Sequence, residues 1–132
     1  MKTKTITVFL FLSGVTGIYI GFSLLFTPIE FEASAGIPVV NNVNLLSEIR
    51  SSGGILLAAG FIIALGAFRP EITRTALIIS SLFYLGYGIS RSVAILFDGA
   101  PDTSLIAVTL AELIIGAISL VLLRSHSYII KK

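Results

Sequence analysis

The chain is 132 residues long, 55% hydrophobic and only 12% charged, with a formal net charge of +2 and a mean hydropathy of +1.02. Ordinary water-soluble domains carry roughly 25% charged residues, so this composition excludes a surface fully covered against water. With no cysteine, disulfides, thiolate catalysis and Cys-ligated metals are excluded, and nine scattered lysines and arginines do not make a nucleic-acid groove.

The apolar residues gather into four stretches, about 5–26, 45–68, 72–97 and 103–123. Each is near the roughly 20 residues a helix needs to cross a bilayer. A backbone in lipid must satisfy its own polar groups, which leaves helices as the spanning element for stretches of this kind. The expectation is an all-α fold: an integral membrane four-helix bundle, one domain over 1–132, with a short interfacial helix on the outer side.

The first stretch follows Lys2 and Lys4, and Ala33-Ser34-Ala35 further on has the small-x-small look of a cleavage site. Its apolar core nevertheless exceeds the roughly 7–15 residues of a signal peptide. It also carries Gly14, Gly17 and Gly21, with Gly17-x-x-x-Gly21 a small-residue helix contact motif. A retained first span is expected, with Thr16, Tyr19 and Ser23 as its polar positions.

The segment 27–44 opens on Thr27-Pro28-Ile29-Glu30, a capping box with proline at the first helical position. A short helix over 28–35 follows, stopped by Gly36 and Pro38. It should lie at the outer interface with Ile29 and Phe31 towards lipid or bundle and Glu30 and Glu32 towards water. It reads as an interfacial connector more readily than as a packed lid.

Span two brings Glu48 and Arg50 near its outer end, then Gly53, Gly54 and Gly60, which would let it approach its neighbours. Pro70 suits the first turn of span three, where no hydrogen bond is lost. Residues three and four apart share a helix face, which strings together Ser80, Tyr84, Tyr87, Arg91 and Asp98. Gly86 and Gly88 are expected to serve packing, and Asp98-Gly99 to end the span. Asp102 or Thr103 can cap span four, whose polar face joins Leu105, Thr109, Glu112, Gly116 and Ser119. His126 follows in the tail and is assigned no role. One histidine and no cysteine exclude bis-His haem and the usual zinc sites.

Basic charges outside the spans gather on one side. Lys2, Lys4, Arg69, Arg74, Arg124, Lys131 and Lys132 belong to the N-terminus, the second connection and the C-terminus, whereas Glu30, Glu32, Asp98 and Asp102 occupy the other two connections. Lysine and arginine collect on the cytoplasmic side of short loops. Both termini are therefore expected in the cytoplasm, with 27–44 and 98–102 facing outward from a cell (inner) membrane.

Arg91 and Glu112 stand inside the third and fourth spans, ten residues before and eleven after Pro101. At about 1.5 Å per residue, Arg91 lies about 10 Å below Asp98, and Glu112 about 12 Å below Ser104. The two should meet at one depth with opposite sign. With Glu48 and Arg50 they sum to zero charge, as a low-dielectric cluster requires. Intramembrane ionisable groups are costly and point to function by default. A ligand-binding set of Glu48, Arg50, Tyr84, Tyr87, Arg91 and Glu112 is expected, the tyrosines supplying aromatic walls with polar tips. Structural pinning of helix register by Arg91 and Glu112 is the alternative, with Glu48 and Arg50 merely snorkelling to the interface and Tyr84 filling the core. No catalytic residue, metal ligand or cofactor is indicated.

The stretch Asn44-Leu45-Leu46-Ser47-Glu48-Ile49-Arg50-Ser51-Ser52-Gly53-Gly54, with Gly60, Arg69-Pro70, Arg91 and Asp98-Gly99-Ala100-Pro101, resembles a family of small bacterial four-span membrane proteins known as a domain of unknown function. That family is similar to the DoxX-like group. The resemblance implies a four-helix membrane bundle with Glu48, Arg50, Arg91 and Asp98 as polar positions, and permits a quinone-linked accessory role.

Three functions compete. One is a carrier that holds a small amphipathic molecule, a lipid or a quinone, in an outward pocket. Another is an accessory subunit docked on a larger membrane protein, or on further copies of itself. The third is proton- or cation-coupled transport through Glu112, which Arg91 at equal depth would hold ionised rather than poised to exchange protons. No nucleophile–base pair is visible from which to build an enzyme.

Overall fold

The structure is a computed structural model that describes residues 4–130. Four long helices, α1 (Lys4–Phe26), α3 (Val43–Phe68), α4 (Thr73–Asp98) and α5 (Thr103–Ile130), run back and forth, with the short α2 (Pro28–Ser34) between the first two. Each of the four is long and apolar enough to cross a membrane, and the described residues contain no strand. The chain is thus an all-α, multi-pass membrane protein. Lys4, Arg69, Arg74 and Arg124 lie at one end of the bundle, and Glu30, Glu32, Asp98 and Asp102 at the other, hereafter the α2 end. Lys2, Lys131 and Lys132, on which the expected orientation also leans, fall outside the described residues.

Local chemistry sets the helix boundaries. Asn42 starts α3, its side chain accepting from the backbone N–H groups of Asn44 and Leu45. Pro70 opens a 3-10 turn, Pro70–Ile72, that leads into α4. The Thr73 hydroxyl is fully buried there and donates to the carbonyls of Gly66 and Arg69, tying the α3–α4 connection. Gly99 ends α4 at φ +99°, a left-handed value that glycine adopts without a Cβ penalty. α5 runs on to Ile130, beyond the predicted end at 123, and places His126 in a buried position rather than in an extended tail. Several hydroxyls within the spans bond back to their own helices, Ser13 to Phe9 and Ser23 to Tyr19 among them, which is one way polar side chains reside in lipid.

α1 and α3 form the most intimate pair. A Cβ at Gly14 would strike Ala64, one at Gly21 the Leu57 backbone, and one at Gly60 the backbone of Gly17 and Ile18. Gly53 similarly abuts Leu24 and Leu25. Without a hydrophobic drive between helices in lipid, this close van der Waals approach is the main source of association. Gly54 and Gly86 depart from the packing expectation, since neither has an atom within 4 Å of where a Cβ would lie. They stand on faces that no neighbouring helix reaches.

α4 packs on α3 and touches α1, while the extended packing of α5 is on α4. The shared core gathers Ile6 and Leu10 of α1, Ile63 and Ala67 of α3, and Ala76, Leu77 and Tyr84 of α4, with Ile115, Leu122 and Leu123 of α5 against it. Only 17% of the apolar stretch of α5 is buried within the protein, against 39% for α1 and α3, so α5 is the most lipid-facing span.

α2 corrects two expectations. The capping box does not form: the Thr27 hydroxyl donates to the Ser23 carbonyl at 3.2 Å, because Thr27 still continues the last turn of α1. Nor do both glutamates of α2 face water. Glu30 is exposed, but Glu32 is half-buried and within electrostatic reach of Arg91. The helix ends as expected at Gly36, whose φ is +80°. There the N–H groups of Gly36 and Ile37 close back on Ala33 and Glu32, a Schellman-type stop. Beyond it the Ser104 hydroxyl of α5 donates to the Ala35 carbonyl at 3.4 Å. α2 thus connects α1 to α3 as expected, and this one exposed contact also reaches the start of α5.

Candidate functional site

Arg91 and Glu112 meet as the expected antiparallel geometry requires. The Arg91 Nε–H donates to Glu112 Oε2 at 3.1 Å and more weakly to Oε1 at 3.4 Å. Glu112 is 14% exposed and Arg91 37%, so the pair is rooted in the protein with its cationic end partly open. Among the described residues it is the sole ion pair.

Two glycines make the pairing possible. A Cβ at Gly88 would collide with Leu113, and one at Gly116 with Leu85, so α4 and α5 approach closely one turn below the charges. Deeper still, the Ser80 and Ser119 hydroxyls share a buried hydrogen bond of 2.7 Å. The polar faces read along spans three and four thus become one seam. Towards the α2 end the two helices part, leaving a groove of about 220 Å³ under the α4–α5 turn. Arg91 forms its polar inner end, Asp98 stands at the other end, and Ala94, Ile95, Leu105 and Pro101 line it with apolar surface. Only Nε of Arg91 is engaged by the protein among the described residues, leaving the two terminal nitrogens of the guanidinium for another acceptor.

The remaining expected site residues disperse. Glu48 and Arg50 are exposed on α3 and do not join the Arg91–Glu112 pair, so the four charges do not form one cluster. Arg50 Nη1 instead donates to the Leu25 carbonyl at the end of α1. The last carbonyls of a helix lack partners, and a cation there also meets the negative end of the helix dipole. Tyr84 turns away from the groove into the core, where its hydroxyl donates to the Ser13 carbonyl of α1 at 2.5 Å. It ties α4 to α1. Tyr87 is half-buried against Phe83, ring centroids 5.5 Å apart, with its hydroxyl in electrostatic reach of both Arg91 and Glu112. In span one, Thr16 bonds back to Leu12, and the exposed Tyr19 ring packs edge-on against Phe31 of α2.

Glu32 is the residue that sequence reasoning assigned elsewhere. Burial raises its carboxyl above the ordinary range, and Arg91 partly offsets that rise. A seven-residue helix makes under two turns, too few for a periodic signal. Which of its carboxylates faces inward is set by the docking of Ala35 on Ser104, a long-range contact. Asp98 did carry a signal, standing seven residues beyond Arg91 on the same face.

Comparison with known proteins yields one match. The family model described as Domain of unknown function (DUF4345) covers residues 5–123. No curated protein and no solved structure matches the chain.

Proposed function

The chain belongs to the DUF4345 family, whose function is unknown, and we propose that it binds or carries a small amphipathic molecule, such as a lipid or a quinone, in the groove between α4 and α5. The observation that carries this reading is the state of Arg91. Glu112 fixes its guanidinium through Nε, and the terminal nitrogens are left at the inner end of a groove whose walls are largely apolar, with Asp98 at the other end. A positioned donor at the end of apolar walls suits a head group that accepts hydrogen bonds and a hydrocarbon stem that follows it. The tail would continue into surrounding lipid, since α5 is largely uncovered by protein.

In this proposal both termini lie in the cytoplasm of a bacterial inner membrane and the groove opens on the outer side. The supporting pattern is the split of Lys4, Arg69, Arg74 and Arg124 from Glu30, Glu32, Asp98 and Asp102. Within the ligand-binding set, Arg91 holds the head and Glu112 orients Arg91. Tyr87 borders the pair, Tyr84 anchors α4 to α1, and Glu48 and Arg50 lie apart from the pair on α3.

The test is mass spectrometry of protein extracted gently from its own membrane. A co-purifying amphiphile is expected with the unaltered chain and is expected to be lost from Arg91→Ala at matched yield. A clean spectrum from the unaltered protein would overturn the proposal.

A further inference from the structure

The charges around the groove carry more than the presence of a ligand. Among the described residues Arg91 is the only cation lining it, and its Nε is already matched by Glu112. Two more carboxyl groups bear on this charge balance: Asp98, which lines the groove, and Glu32, which lies outside the lining but within electrostatic reach of Arg91 from α2. Glu112 and Glu32 thus face the Arg91 guanidinium, and Asp98 adds a third carboxyl group at the other end of the groove. Glu32 is held there rather than free to leave. Thr27 alone separates α2 from α1, Phe31 packs on the Tyr19 ring with centroids 6.1 Å apart, and Ala35 is bonded to Ser104. Gly36 lies against the Asp102 carboxylate, close enough that a Cβ there would sit 3.1 Å from it.

We propose that the groove takes a neutral, oxygen-bearing head group and turns anionic heads away, with Glu32 and Asp98 as the residues that set this preference. The inference rests on the ligand-binding reading above. A carboxylate or phosphate head would add a further negative charge where the single positive charge is already balanced, and in a half-buried site like charges repel more strongly than in water. A carbonyl or hydroxyl oxygen accepts hydrogen bonds from the free guanidinium nitrogens and adds no charge. A cationic ammonium head is disfavoured for a separate reason: it has no acceptor to offer the guanidinium N–H groups at the inner end of the groove. The groove volume is about 220 Å³. That accommodates a compact head and the first carbons of its tail, with Ala94, Ile95 and Leu105 as the apolar wall.

The experiment offers three probes of matched chain length, 2-undecanone, decanoate and nonyltrimethylammonium, to the protein in nanodiscs of zwitterionic lipid at neutral pH, with bound probe counted by native mass spectrometry. The ketone is expected to load at least about tenfold better than decanoate. In Glu32→Gln, and more so with Asp98→Asn added, the ratio of decanoate to ketone is expected to rise by about tenfold. These exchanges are nearly isosteric and lie outside the packed core, so the fold should survive them. Equal loading of ketone and decanoate, a ratio that both variants leave unchanged, or tightest loading of the ammonium probe would overturn the inference while leaving ligand binding intact. Failure of all three probes to load would overturn the ligand-binding reading and this inference together.

Discussion

At the scale of single residues, the Arg91–Glu112 pair is asymmetric, and the asymmetry is testable. Glu112 is the more buried partner, so removal of Arg91 strands a carboxylate at 14% exposure. Removal of the charge on Glu112 leaves an arginine that is 37% exposed and still faces Glu32. Breaking a buried pair from one side costs the desolvation of the charge left behind more than it costs the bond itself. Arg91→Ala is therefore expected to destabilise the protein by about 1–3 kcal/mol, and Glu112→Gln by less than about 1 kcal/mol. Thermal melts followed by circular dichroism in micelles measure the difference, and the reverse order would refute this account of the pair. Both residues were legible in the sequence, since charges inside apolar spans stand out and each can be counted along its helix from the same turn. The Tyr84 contact was not legible. Its position on the Arg91 face suggested a pocket wall, but the hydroxyl points to Ser13, 71 residues away in the chain.

At the scale of elements, glycine content proved a partial guide. Gly17, Gly21, Gly53, Gly60 and Gly88 sit where another helix presses close, whereas Gly54 and Gly86 face open space. The two classes should respond to alanine in opposite directions. Gly60→Ala would force α1 and α3 apart, an overpacking cost of about 1–3 kcal/mol. Gly54→Ala and Gly86→Ala should be neutral or stabilise by up to about 1 kcal/mol, because alanine loses less backbone entropy in a helix. Denaturant-induced unfolding of the three variants in micelles decides it: a Gly60→Ala protein as stable as the parent would contradict the packing assigned to α1 and α3. From the sequence alone these glycines are equivalent, all lying in apolar helices. The same holds for α2. Its existence and its stop at Gly36 were readable from proline, glycine and the acidic first turn, but the inward turn of Glu32 depends on where the far end of α2 docks.

At the scale of the whole molecule, the bundle is two intimate pairs, α1 with α3 and α4 with α5, joined through the α3–α4 contact and the shared core. The polar groove belongs to the second pair, at the end with the acidic connections. If basic residues orient this bundle as they do short-looped membrane proteins, a cytoplasm-dependent reporter fused after Lys132 should be active and an export-dependent one silent. The opposite pattern would place the groove on the cytoplasmic side and reverse the direction from which a ligand arrives. The chain by itself determined the class, the four spans, the separation of charge and the Arg91–Glu112 register. Those features follow from the lengths of apolar runs and from short-range counting along helices of fixed rise. Tertiary structure alone decided the rotation of each helix, and with it the placing of Arg50 on Leu25, Tyr84 on Ser13 and Glu32 towards Arg91. The physical reason is that lipid-facing and protein-facing sides of a span are both apolar, so hydrophobic periodicity does not mark which side turns inward.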